Sequence, residues 1–247
     1  MAAIISTNIG YLLLAFLPPI VWLIFYLRED RHPEPKLLLL LTFAGGMGAA
    51  VVAVVAECAF LQFLSGSSCK NGISSNLNPF VIFIGIALIE EYLKYASVKL
   101  LILKRADFDE PVDAMIYLIT AALGFAALEN ALFIFPLFRD SLFVGLEVTA
   151  NRFLGANLLH ALSSGIVGFF LARTWFHPRR HHFVALGIGI AAVLHTIFNY
   201  LILIREVLPQ GTFYLTSLLV LMAVMVFIDF ERLKTSPIKA TPPPLDG

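Results

Sequence analysis

Charge is what this chain has least of. Only 14% of its 247 residues are Asp, Glu, Lys or Arg, against 59% apolar residues, and its mean hydropathy is +0.87. A water-soluble domain runs at about 25% charged and about 45–50% apolar. So little charge cannot cover a water-facing surface of this size, so lipid is the expected solvent. Charge of one sign is also missing: 17 Lys plus Arg balance 17 Asp plus Glu. Nothing here follows a phosphate backbone, and no nucleic-acid partner is expected. The two cysteines, Cys58 and Cys69, make neither a CxxC pair nor a disulfide framework, and read as structural or incidental. No basic segment precedes the first apolar run, so a cleaved signal peptide is not expected. No HExxH occurs, so no local spacing announces a zinc site.

What is present is hydrophobic length. A helix crosses the bilayer core with about 20 mostly apolar residues. Seven stretches qualify: 10–27, 37–64, 79–103, 112–138, 150–176, 183–204 and 211–230. The expectation is an all-α, polytopic transmembrane bundle of about seven helices. It forms one domain over 1–235, with a disordered, proline-rich tail at 236–247. Lys and Arg crowd every second connection. Arg28, Arg31 and Lys36 follow the first stretch, Lys104 and Arg105 the third, Arg173, Arg179 and Arg180 the fifth, and Arg232, Lys234 and Lys239 the last. The positive-inside rule then puts the N-terminus outside and the C-terminus in the cytoplasm of a multi-pass cell-membrane protein.

Few ionisable groups fall inside the apolar stretches, and each is a functional candidate because charge at membrane depth is costly. Glu57 stands alone in the second. Glu90, Glu91 and Lys94 occupy the third, Glu129 and Asn130 the fourth, Arg152 and His160 the fifth, and His195 with Asn199 the sixth. Glu90 and Glu91 each lie one turn from Lys94, so either carboxylate can meet the ammonium. Counted along the helix axis, Glu90, Glu129, His160, His195 and Asn199 sit roughly 8–16 Å below the outer helix ends. Four helices thus deliver carboxylates, imidazoles and an amide to a similar depth. Asn130 is expected to brace backbone. Asp113 and Arg152, nearer the interfaces, are expected to orient neighbours. Glu57 is read either as functional or as the ion-pair partner of Lys94 or Arg152.

These residues fall in an order that resembles the PrsW family of intramembrane proteases, relatives of the CAAX-processing membrane proteases. The resemblance runs from Asp30 to Asn199. Pro33-Glu34-Pro35 follows the first helix. Glu90-Glu91-Tyr92-Leu93-Lys94 fits EExxK, and Phe125 to Glu129-Asn130 fits FxxxEN. Arg152 with His160, and His195 with Asn199, complete the set. The resemblance implies hydrolysis of a peptide bond in a membrane-anchored protein substrate, of the kind that releases an anti-sigma factor. It also implies that Glu90, Glu91, Lys94, Glu129, His160, His195 and Asn199 form the catalytic set. A carboxylate at 90 or 91 would be the base, and His160, His195 and Asn199 would stabilise oxyanion or leaving group. The family is classed with metalloproteases, and Glu129, His160 and His195 would then hold Zn2+; its CAAX-type relatives imply a metal-free glutamate-type mechanism as the alternative. A proton- or cation-coupled transporter and a non-catalytic membrane scaffold are the alternatives that buried charge alone leaves open.

Overall fold

The computed structural model describes residues 2–66, 77–175 and 177–235, and among them every regular element is a helix. They are α1 (Ala2–Tyr26), α2 (Lys36–Ser65), α3 (Pro79–Leu101), α4 (Asp113–Asp140), α5 (Leu142–Leu154), α6 (Ala156–Arg173), α7 (Arg180–Ile204) and α8 (Gly211–Lys234). A short 3-10 turn, Leu27–Glu29, follows α1. Residues 236–247, expected as a tail, lie outside the described residues.

Six segments are long and apolar enough to cross a membrane, with α5 and α6 together forming one of them, Leu142–Arg173. The helix that fails on apolarity is α3, because it carries Glu90, Glu91, Lys94 and Lys99. Its 23 residues still reach about 35 Å, enough to cross. Glu90, Glu91 and Lys94 are buried against protein, while Phe80, Val81, Leu88, Tyr92 and Leu100 are exposed. The bundle is therefore seven long helices, one of them broken.

The fifth span differs from expectation. It begins at Leu142 rather than 150, after a tight turn at Ser141, whose hydroxyl accepts from the Val144 N–H. It then breaks at Gly155, where φ −101° and ψ −93° leave the helical region. Glycine is needed there: a Cβ would lie 2.8 Å from the Asn151 carbonyl oxygen and 3.4 Å from the Phe198 ring. The break is braced by side chains. Asn157 Nδ2 donates to the Arg152 carbonyl, and Trp22 Nε1 donates to the Phe153 carbonyl.

In lipid no hydrophobic effect drives helices together, so close backbone approach and internal hydrogen bonds hold a bundle. The run Ala44-Gly45-Gly46-Met47-Gly48 serves the first. A Cβ at Gly46 would fall 1.9 Å from the Ala121 carbonyl oxygen, and one at Gly124 would fall 2.0 Å from that of Phe43. The backbones of α2 and α4 thus touch across paired glycines. Central α4 is buried almost continuously from Val112 to Ala127, and α6 covers it from Asn157 to Val167. This α4–α6 spine carries two of the ionisable groups of the site and presents them to α3 and α7. Cys58, near the end of α2, is disulfide-bonded; Cys69 lies outside the described residues.

Candidate active site

Lys94 is the hub. Its ammonium is fully buried, 2.9 Å from Glu91 Oε1, 3.5 Å from Glu90 Oε2 and 2.7 Å from His160 Nδ1. It also lies 4.7 Å above the Phe125 ring. An isolated ammonium could not stay charged in such a place. Three polar partners and an aromatic face replace its water.

Glu91 is saturated. Oε1 accepts from Lys94, from Ser163 Oγ at 2.9 Å and from His195 Nδ1 at 3.0 Å. Oε2 faces Ser164 Oγ at 3.3 Å. Glu90 is the opposite case. Its Oε2 has no hydrogen-bond partner although the residue is only 6% exposed. Lys94 is within ion-pair range of this oxygen but not in hydrogen-bond geometry. His160 Nδ1 and His195 Nε2 stand 3.9 Å from it on either side. Adjacent helical residues point about 100° apart, and this places one glutamate in a socket and the other in a gap.

The partners fix the tautomers. His195 donates through Nδ1 to Glu91, leaving the Nε2 lone pair toward Glu90. His160 accepts from Lys94 at Nδ1 and donates through Nε2 to Glu129 Oε2 at 2.8 Å. Each imidazole therefore has a carboxylate behind it and a nitrogen in front. Glu129 in turn meets Arg152 Nη2 at 2.8 Å. Asn130 accepts from Arg152 Nε at 2.5 Å and donates to the Ala15 carbonyl and to Asn157 Oδ1.

The geometry joins Glu90, Glu91, Lys94, Glu129, His160 and His195 in one connected cluster. Asn199 lies half-buried one turn beyond His195 on α7 and enters none of the cluster's hydrogen bonds. The carboxylate grouped with both imidazoles is Glu90, their ligand atoms lying within 4.8 Å of one another; Glu129, placed in the expected zinc set, instead faces the rear nitrogen of His160. Asn130 braces backbone, as its type suggested. Glu57, half-buried on α2, makes no ion pair with Lys94 or Arg152, though it feels the charges of Glu90, Glu129 and Lys94. Ser163, Ser164 and Asn157 were missed. The two serines lie three and four residues after His160, on its helix face, and that spacing was the available signal.

A second polar cluster lies at the other end of the bundle. Glu34, on the Pro33–Pro35 loop, is 8% exposed and accepts from the Tyr117 hydroxyl. It also shares a hydrogen bond with Asp113. Asp113 accepts the N–H groups of Asp109 and Glu110 at 2.9 and 2.7 Å. Asp30 accepts those of His32 and Glu34. Burial raises the Glu34 carboxyl above its ordinary range, against the lowering pull of Tyr117. Burial likewise raises Asp30, against its two backbone donors. These contacts pin the loops before α2 and α4, and every carboxylate named here has a donor.

Buried carboxylates, two imidazoles and a lysine converging among membrane-length helices define a membrane-embedded hydrolase. The sequence profile of the PrsW family of intramembrane metalloproteases matches residues 34–228. The chain belongs to that family. It is 30% identical over 74% of both chains to Protease PrsW of Geobacillus kaustophilus. It is 29% identical to Protease PrsW of Bacillus subtilis over 82% of this chain and 84% of the relative. Against Protease PrsW of Clostridioides difficile it is 26% identical, covering 78% and 79%. No solved structure matches the chain. The protein is a multi-pass intramembrane protease, and the transporter and scaffold alternatives give way to that reading.

Proposed function

We propose that Glu90, His160 and His195 form the reacting centre and that they hold a zinc ion. The observation that carries this is the orphaned Glu90 Oε2 between two imidazole nitrogens. Tetrahedral zinc with ligands at about 2.1 Å holds them roughly 3.4 Å apart. Glu90 Oε2 stands 3.9 Å from each nitrogen and all three atoms lie within 4.8 Å of one another, so binding would draw them together by a fraction of an ångström to about 1 Å. Glu91 behind His195 and Glu129 behind His160 are the second carboxylates that orient and strengthen ligating histidines. When bound, the ion would supply Lewis-acid activation of water and of the scissile carbonyl.

The remaining steps belong to this chain's own residues. Glu90, through the carboxylate oxygen that the ion would leave free, takes a proton from the attacking water, whose oxygen bonds to the carbonyl carbon. Lys94 stabilises the resulting oxyanion, with Asn199 as a second donor. Glu90 then returns the proton to the departing amide nitrogen as the C–N bond breaks. Glu91 neither gives nor takes a proton, because its oxygens are occupied. A second, metal-free reading is favoured by Lys94, whose ammonium already occupies His160 Nδ1. Metal analysis of active, purified protein separates the two. One zinc per chain, with activity lost on chelation and restored by zinc, supports the first. Full activity without metal overturns it.

The substrate we propose is a single-span regulatory protein of the anti-sigma type, cut on the outer side of a bacterial cytoplasmic membrane. The Lys/Arg pattern supports an outside position for the start of α3. Disulfide-bonded Cys58, near the adjoining end of α2, agrees, because disulfides persist in oxidising compartments. Shed-fragment proteomics of cells carrying wild type or Glu90→Gln identifies the substrate. Fragments made equally by both would reject the catalytic assignment.

A further inference from the structure

Glu57 is the one carboxylate near the site that the mechanism above does not use. It sits one turn beyond Ala53, whose fully buried methyl packs into a cluster with Phe125, Ile89, Leu93 and Leu128. The Phe60 ring, three residues further on, covers Gly85 of α3, where a Cβ would fall 2.1 Å from it. Glu57 is thus held between α3 and α4, on the helix face that adjoins the site. It is eight residues from Ser65, the end of α2, a depth of about 12 Å; Glu90 is eleven residues from Pro79, about 17 Å. Glu57 is the shallower, and a chain entering from that end reaches it first.

The charges around it are Glu90 and Lys94 of α3 and Glu129 of α4. Both cations of the cluster are committed elsewhere. Lys94 is held by Glu91 and His160, and Arg152 by Glu129 and Asn130. Glu57 is half-buried and makes no ion pair among the described residues. The buried orphan oxygen of Glu90 shows that the resident donors do not saturate the carboxylates of this cluster. A carboxylate at membrane depth beside like charges gains most from a cation that arrives with the ligand.

We propose that Glu57 is a specificity-determining residue that receives a lysine or arginine side chain of the substrate, on the outer flank of the scissile bond. The inference rests on Glu90 as the reacting carboxylate of an outward-facing site. Outer flanks of single-span proteins are poor in Lys and Arg, so one carboxylate there discriminates among many candidates.

The test uses the full-length protein in its membrane. Shed fragments are sequenced from cells carrying wild type, Glu57→Gln or Glu57→Lys, with Glu90→Gln as the inactive control. Fragments present in wild type and absent from the control establish proteolysis independently of Glu57. Wild-type sites should then carry Lys or Arg on the outer flank. Glu57→Gln should cut those sites about 10-fold less while sparing uncharged ones. Glu57→Lys should recover cleavage of a reporter whose flanking Lys is changed to Glu. Unchanged flank preferences, with all sites slowed equally, overturn the proposal. So does a Glu57→Gln protein that loses bound zinc with its preferences intact.

Discussion

Among the described residues, two buried polar clusters are built on opposite plans. At the Pro33–Pro35 end, Glu34, Asp30 and Asp113 are each met by a hydroxyl or a backbone N–H. In the membrane-depth cluster, Glu91 is equally closed, but Glu90 Oε2 is left without a hydrogen bond between two histidines. Buried polar groups are normally satisfied, and the exceptions need a reason. The first cluster therefore reads as architecture that fixes two loops. The second combines a closed frame, Glu91–Lys94–Ser163–Ser164, with one open carboxylate, Glu90, which is the place proposed for chemistry.

Substitutions can break this contrast. Glu90→Gln should lower cleavage by about 1000-fold or more without lowering the unfolding temperature of the metal-free protein, because Glu90 Oε2 makes no hydrogen bond to lose. A destabilised Glu90→Gln protein would refute the open-carboxylate reading. Glu91→Gln should also abolish cleavage, but with a stability loss of about 3–5 kcal/mol, since it strands a buried ammonium. Thermal unfolding in detergent beside the activity assay distinguishes the two glutamates.

Tyr117→Phe should cost about 1–3 kcal/mol by leaving a buried carboxyl short of a donor, with cleavage per folded molecule within about 3-fold of wild type. A large loss of specific activity would instead join the second cluster to the catalytic one. Its pH dependence is a finer probe. Glu34 has a folded pKa raised above the ordinary value of 4.5. Its contribution to stability is then full below that value and lost as pH rises through the folded pKa. Wild type should lose stability relative to Glu34→Gln on going from acid to neutral pH. A parallel pair of stability curves would refute this. The smallest effect expected is Ser164→Ala, about 1 kcal/mol, with cleavage reduced severalfold as the socket around Glu91 loosens.

The relatives reported above are 26–30% identical to this chain over most of its length, and the chain's own polar motifs were legible in its sequence. EExxK, the FxxxEN run, His160 and His195 stand out because each is polar in an apolar stretch. Hydrophobic length likewise made the helices visible. Two features were less visible. The fifth span begins at Leu142, eight residues earlier than hydropathy suggested, and within it Arg152 is met by Glu129 and Asn130 of α4. The break at Gly155 depends on the neighbouring Phe198 ring and Asn151 carbonyl, which no local pattern reveals. The Glu34–Tyr117 contact spans 83 residues of sequence and could not be read from either segment alone.

Sequence by itself determined the solvent, the helices and the residue types of the site. Lipid punishes every unmatched polar group, so the few that remain declare themselves. Only the tertiary structure decided which glutamate is closed and which is open. Glu90 and Glu91 are chemically identical neighbours, and nothing local distinguishes them. The difference arises because α6 brings two serines, and α7 brings Nδ1 of His195, to one carboxylate. The other meets only the far sides of two imidazoles and a lysine beyond hydrogen-bond reach.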